Sequence, residues 1–148
     1  MFIKRDDLTG VALTGNKIRK LQFTLAKAIH CGYDTIITDG APYSNHCRTT
    51  AVSCAQLGLE CHLLLPFRYD ENGGKEIEYS GNLAIMASAG AKLYRVDKNI
   101  TQPALIADVE SFKKKYEIMK NLAVELAKKG KKPYIVYRGG SRPACIWV

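Results

Sequence analysis

Lys17 lies in the run Thr14-Gly15-Asn16-Lys17-Ile18-Arg19-Lys20-Leu21, one step past Gly-Asn and at the expected start of a helix. An amine placed there can attack a carbonyl carbon and form a Schiff base. Lys20 stands three positions on, so both amines can point the same way from one helix. One amine can trap a carbonyl while the other meets a phosphate, which lysine binds as a point charge. A nucleophilic Lys17 needs its neutral form, which desolvation or the neighbouring cations Arg19 and Lys20 would promote. A solvated basic helix face built from Lys17, Arg19 and Lys20 has the same spacing.

About 26 residues after Lys17 comes a second polar group, Tyr43-Ser44-Asn45-His46. It opens a helix, where unpaired N–H groups and the helix dipole attract anions. A carboxylate is an obvious occupant, although Ser44 or Asn45 would also serve simply as an N-cap. His46 on the first turn can equally be hydrogen-bonded and uninvolved. His30 and His62 have no partners in sequence and are read as structural. Asp6 and Asp7, beside Lys4 and Arg5, read as ion-pairing groups rather than an acid/base dyad. The five cysteines, Cys31, Cys47, Cys54, Cys61 and Cys145, show no CxxC pair and no Cys/His metal spacing. They read as reduced, mostly buried thiols, and no metal site is expected.

The elements that must position these groups alternate helix and strand. Ile18, Leu21, Leu25, Ala28 and Ile29 share one face of a helix over about 16–30, stopped by Gly32. Thr35-Ile36-Ile37-Thr38 is a short β-branched strand ending at Asp39-Gly40. A helix over about 45–57 carries Cys47, Ala51, Cys54 and Ala55 on one side and stops at Gly58. Cys61 to Leu65 forms the next strand, closed by Pro66. Arg68 to Gly81 reads as a loop. A short helix over about 82–89 and a strand over Leu93–Val96 follow. Leu105, Val109, Phe112, Tyr116, Met119, Leu122 and Leu126 step by four and three along a long amphipathic helix closed by Gly130. Pro133–Tyr137 is the last strand and leads to Gly139-Gly140-Ser141. Strands separated by helices imply an α/β fold: a parallel open sheet with flanking helices. Ligands bind beyond the carboxyl ends of such strands, where Gly40–Asn45 and Gly139–Ser141 fall.

Bulk properties agree with a globular chain. The 148 residues are 47% hydrophobic and 24% charged, enough for one domain with a core. No apolar run approaches the roughly 18 residues of a membrane span. The start, Met1 to Asp7, has no secretory h-region, so a cytoplasmic protein is expected. The formal charge of +8 comes largely from Lys113-Lys114-Lys115 and from Lys128, Lys129, Lys131 and Lys132. These cluster on one helix and its exit, read as a solvated face. No aromatic-interleaved basic stripe accompanies them, so neither nucleic acid nor membrane is expected as a partner.

Three segments together resemble a known family. Ile3-Lys4-Arg5-Asp6-Asp7-Leu8-Thr9-Gly10, Gly15-Asn16-Lys17-Ile18-Arg19-Lys20-Leu21 and Ser44-Asn45-His46 are similar to the D-cysteine desulfhydrase and 1-aminocyclopropane-1-carboxylate deaminase family. Its members are pyridoxal-phosphate enzymes of the tryptophan-synthase-β fold type. Lys132–Val136 followed by Gly139-Gly140-Ser141 also resembles that pattern, so the likeness runs from Phe2 to about Pro143.

The resemblance implies roles for the matching positions. Lys17 corresponds to the Schiff-base lysine that also moves the α-proton, and Lys20 to a phosphate contact. Asn45 corresponds to the residue bonding the cofactor's 3-hydroxyl, while Ser44, Asn45 and His46 would hold the substrate carboxylate. Lys17 and Ser44 are thus the implied catalytic residues. Histidine at position 46 leans toward the desulfhydrase branch, which converts D-cysteine to pyruvate, sulfide and ammonia; the deaminase branch tends to have glutamine. The chain departs from the pattern at Tyr43, where glutamine is usual, and after about Pro143. Family members continue well past Val148, so an incomplete member is expected. Residues 1–39 would belong to the larger domain, 40–138 to a small α/β domain, and 139–148 to a divergent tail. A non-catalytic fragment, a deaminase and a racemase of the same fold are the alternatives. Self-association through faces left exposed is expected as well.

Overall fold

Thr35, Ile36, Ile37 and Thr38 are wholly buried, as the β-branched run demands, and form the strand around which the chain is organised. The computed structural model describes residues 2, 3, 5, 8, 10, 15–67, 80–97 and 109–140. In chain order the elements are α1 (Lys17–His30), β1 (Thr35–Asp39), α2 (Asn45–Leu57), β2 (Glu60–Phe67), α3 (Gly81–Ser88), β3 (Lys92–Asp97), α4 (Val109–Lys128) and β4 (Pro133–Val136). A 3-10 turn over Arg138–Gly140 follows β4.

The four strands form one parallel sheet in the order β3-β2-β1-β4. The chain steps from β1 to β2 to β3 in one direction, then returns through α4 to the far side of β1. Strand order therefore reverses between β1 and β4, the place where open α/β sheets bind ligands. The sheet also crosses position 39, because β1 lies between β2 and β4.

Alternate strand residues face opposite helix layers. On one face Ile36, Cys61, Leu63, Leu65, Tyr134 and Val136 pack with Leu21, Leu25 and Ala28 of α1, Cys47, Ala51 and Cys54 of α2, and Leu83 and Met86 of α3. On the other, Ile37, Leu64 and Ile135 pack with Met119, Ala123 and Leu126 of α4. Both faces are covered, so the strands read as near-continuous apolar runs. Burying each leucine or isoleucine of this set contributes about 2 kcal/mol.

Several expectations need correction. Pro66 does not end β2: the strand runs to Phe67, and Pro66 is opposite Val96 of β3. The pairing with β1 stops at Leu64, so beyond it β2 has a free side where a missing N–H is tolerated. Ile29 and Ala55 are exposed rather than in the core, because each helix buries a stripe narrower than its apolar content. Lys115 is only 8% exposed, so the lysine run is not uniformly a solvated face; α4 turns its third lysine inward while Lys113 and Lys114 stay exposed. Leu105, Lys4, Asp6, Asp7, Ser141, Cys145 and most of the loop from Arg68 lie outside the described residues.

His62 is structural. Its ring lies between Glu60 Oε1, 2.9 Å from Nε2, and Tyr94 Oη, 2.9 Å from Nδ1. Glu60 also pairs with Lys92 and with Lys131, the latter at 2.6 Å. This network ties β2, β3 and the entry to β4 at the amino end of the sheet, opposite the candidate site.

Candidate functional site

Gly40 follows β1 directly and carries the chain toward α2. An added Cβ there would lie 2.4 Å from Cys47 Sγ and 3.0 Å from Ser44 Oγ, so only glycine lets the strand end approach the helix start this closely. Ser44 is the N-cap: it is extended at φ −69° and ψ 123°, and its Oγ accepts from the Cys47 amide at 3.3 Å. The Ser44 carbonyl accepts the first helical bond, from the Arg48 amide at 3.1 Å. The amides of Asn45 and His46 precede that bond and have no intrahelical acceptor. Cys47 beneath them is wholly buried, and burial pushes its thiol up to about 12, so it is a packing group and not a nucleophile.

Asn45 is exposed, and its Oδ1 accepts from Arg48 Nη1 at 3.1 Å and from Asn82 Nδ2 at 3.0 Å. Asn82, at the start of α3, also donates to the Tyr43 carbonyl at 2.7 Å and accepts from Arg48 Nη1 at 3.0 Å. Arg48 and Asn82 thus hold the 43–45 turn. With Oδ1 occupied, the Asn45 amide nitrogen is the end left to face a ligand. His46 turns inward: it is 3% exposed, and its Nε2 lies 3.0 Å from Thr38 Oγ1 on β1. Its Nδ1 is buried with no hydrogen-bond partner. Burial, then the charges of Lys17, Arg138 and Lys20, push its pKa down to about 4.

That electrostatic influence joins distant parts of the chain. Lys17 and Lys20 lie on the first turn of α1, while Arg138 follows β4 and pairs with Asp39 at the end of β1. The pair crosses the switch point between the two strands. Gly139 and Gly140 come next, at φ 72° and 65°, a left-handed conformation that favours glycine. A Cβ on Gly140 would lie 3.3 Å from Lys20 Cβ, so this turn packs against the stem of Lys20. The structure therefore gathers Lys17, Lys20 and His46 in one region with Arg138 and Gly140, and sets Ser44 and Asn45 on the turn that His46 continues.

Thr38, Asp39, Arg48, Asn82 and Arg138 were missed by sequence reasoning. Only Arg138 had a signal, its position just before the Gly-Gly turn; the others belong to no local pattern. Among the described residues no group of three or more His, Cys, Asp or Glu side chains could hold a metal. No helix among them is long and apolar enough to cross a membrane.

A phosphorylated pyridine aldehyde needs an amine, a cation for its phosphate and polar partners for its ring substituents. Lys17 and Lys20 supply the first two. The open Asn45 amide nitrogen and the unpartnered Nδ1 of His46 supply polar ends not already used within the protein. The residues present fit that group.

Comparison with known proteins gives the same chemistry. The family described as pyridoxal-phosphate dependent enzyme matches residues 1–146. The chain is 38% identical over 154 residues to the mitochondrial bifunctional D-cysteine desulfhydrase/1-aminocyclopropane-1-carboxylate deaminase of Arabidopsis thaliana, covering 99% of this chain and 34% of that protein. It is 39% identical over 145 residues to a D-cysteine desulfhydrase of Yersinia pestis (strain Pestoides F), covering 95% of this chain and 38% of the relative. The crystal structure of an ACC deaminase homologue superposes with a TM-score of 0.75 at 36% identity, covering 95% of this chain and 37% of the other. The chain thus spans between a third and two fifths of the length of these relatives. Across nearly its whole length, this chain belongs to the pyridoxal-phosphate dependent enzyme family.

Proposed function

We propose that the whole protein carrying this chain is a lyase that eliminates the thiol of D-cysteine as sulfide, water then hydrolysing the resulting imine to pyruvate and ammonia. The observation that carries this reading is the packing of the Arg138–Gly140 turn against both α1, at the stem of Lys20, and α2, which brings the lysine helix and the Ser44-Asn45-His46 helix to one place. Lys17 holds the cofactor and moves the α-proton through its amine. Lys20 balances phosphate charge, its stem braced by the Gly140 turn. The Asn45 amide nitrogen bonds the ring oxygen, held in that orientation by Arg48 and Asn82. Ser44 and the amides of Asn45 and His46 receive the substrate carboxylate at the start of α2. Pyridoxal phosphate, when bound, supplies the electron sink that makes the α-proton labile.

The test starts with the chain itself. Pyridoxal phosphate added to purified protein and trapped with borohydride should label Lys17, by peptide mass mapping, and Lys17→Ala should abolish that label. Label scattered over surface lysines, with none at Lys17, would sink the assignment. For the whole protein, D-cysteine should release sulfide. A second reading, deamination of 1-aminocyclopropane-1-carboxylate, is supported by relatives named for that activity, and it predicts ammonia from that substrate.

Self-association belongs to the same proposal. Phe23 is 73% exposed and Leu57 is 50% exposed. Leu57 helps line a groove of about 350 Å³ between α1 and α2, together with Ile18, Leu25 and Ile29 among others. Sedimentation should find dimers or larger species; a monodisperse monomer would count against this. A cytoplasmic setting is also part of the reading, supported by the free thiols of Cys31, Cys47, Cys54 and Cys61.

A further inference from the structure

Thr38 has one hydroxyl proton and two polar contacts. Its Oγ1 donates to the Val136 carbonyl at 2.7 Å and lies 3.0 Å from His46 Nε2. A carbonyl oxygen can only accept, so the proton is committed to Val136. Oγ1 then meets the imidazole with a lone pair, and the ring must bring its proton on Nε2. The ring is neutral at pH 7, since burial and the nearby cations push the His46 pKa down to about 4. A neutral ring with its proton on Nε2 carries a lone pair on Nδ1. That atom is buried and unpartnered, whereas both ring nitrogens of His62 are engaged.

The arrangement is rigid. Thr38 is wholly buried and β-branched, with few rotamers open to it. Val136 is its partner in the β1–β4 register, so the accepting carbonyl is held by the sheet itself. The contact spans β1, β4 and α2, the three elements that meet at the switch point.

We propose that Thr38 is a positioning residue that locks His46 as the Nε2–H tautomer and so makes its ring a hydrogen-bond acceptor in this site. The role of that acceptor toward a ligand rests on the functional reading above. The ring takes an N–H donor, such as an ammonium group, and cannot donate to a carboxylate. Carboxylate binding is left to the Ser44 hydroxyl and to main-chain amides, that of His46 included. The residue meets an anion through its backbone amide and not through its imidazole.

Long-range 1H–15N NMR of the histidine-labelled chain at pH 7 tests this, with His46→Gln assigning the signal. Wild type should show a protonated nitrogen at Nε2 and an unprotonated one at Nδ1. Thr38→Ser, which keeps the hydroxyl, should retain that pattern. Thr38→Val should lose it and give mixed tautomers. A wild-type ring protonated at Nδ1, or at both nitrogens, would overturn the proposal, as would an unchanged pattern in Thr38→Val. Should Thr38→Val fail to fold, wild type and Thr38→Ser still decide. Failure of the functional reading looks different: Lys17 would stay unlabelled by pyridoxal phosphate while the tautomer remained as described.

Discussion

Replacing Gly40 with alanine should damage the α2 start by crowding Cys47 and the Ser44 cap together. The new methyl would lie 2.4 Å from Cys47 Sγ, 3.0 Å from Ser44 Oγ and 3.2 Å from Ser44 Cβ. Non-bonded heavy atoms sit comfortably about 3.5–4.0 Å apart, so the sulfur overlap exceeds about 1 Å. Cys47 is wholly buried in a helix, and its χ1 choices are few. Ser44 must shift as well, because its Cβ is fixed by the backbone. Overpacking of this kind costs about 1–3 kcal/mol. Losing the Ser44 cap adds about 1 kcal/mol. We therefore expect Gly40→Ala to lower unfolding free energy by about 2–4 kcal/mol in urea titrations followed by circular dichroism. The double variant Gly40→Ala/Cys47→Ala should recover part of that loss, because the worst contact is gone. A single variant within about 0.5 kcal/mol of wild type would refute the packing argument; so would a double variant showing no favourable coupling.

Three further predictions concern charge and backbone. His46 has its pKa lowered to about 4, first by burial and then by Lys17, Arg138 and Lys20. Below about 6.5 the unfolded chain binds a proton that the folded chain refuses, so stability falls as pH drops toward 4, by up to about 3 kcal/mol. His46→Gln should flatten that part of the stability–pH curve; an equally steep curve would remove His46 as its source. Glu60 is held down to about 2 by Lys131, Lys92 and His62, against burial. Its contribution is fully present above about 4.5 and is lost as pH falls through 2, so Glu60→Gln should cost on the order of 1–2 kcal/mol at pH 7, discounted because both lysines are exposed, and almost nothing at pH 2. Matching losses at both pH values would exclude the ion pairs as the cause. Gly140→Ala, at φ 65° and facing Lys20, should cost about 1–2 kcal/mol and weaken labelling of Lys17 by pyridoxal phosphate; normal labelling would show that the turn does not brace α1.

Local features were legible where chemistry and punctuation coincide. Ser44 and Gly58 bracket α2, and Cys47, Ala51 and Cys54 recur along its buried side, so both helix ends follow from residue type. Lys17 and Ser44-Asn45-His46 were legible because reactive side chains sit at helix starts. Their supports were not. Arg138 and Asp39 are separated by 99 positions, and Asn82 and Asn45 by 37, so only the completed sheet brings them together. The packing of His46 was hidden for a related reason: the helix phase turns its Nε2 toward Thr38, eight positions away on a different element. Proline at position 66 signals a strand end because it lacks an N–H; it is tolerated within β2 because β1 ends early, which cannot be seen from β2 alone. Lys115 hid inside a run of like charges whose members face different ways once the helix forms.

The placement of β4 also sets the order in which the site can come into being. Thr35 pairs with Glu60, 25 positions on, and with Pro133, 98 positions on. Closing the longer loop costs about 1 kcal/mol more entropy, so β1, α2 and β2 can associate while the far side of β1 is still bare. Until β4 docks, Thr38 has no carbonyl to donate to, Asp39 has no arginine, and Lys20 has no turn against its stem. As the chain is synthesised, residues 17–57 can already be folding locally while the chemistry they carry stays unassembled. Assembly of the candidate site is thereby coupled to completion of the sheet, and a chain interrupted before Pro133 would present its lysines to water.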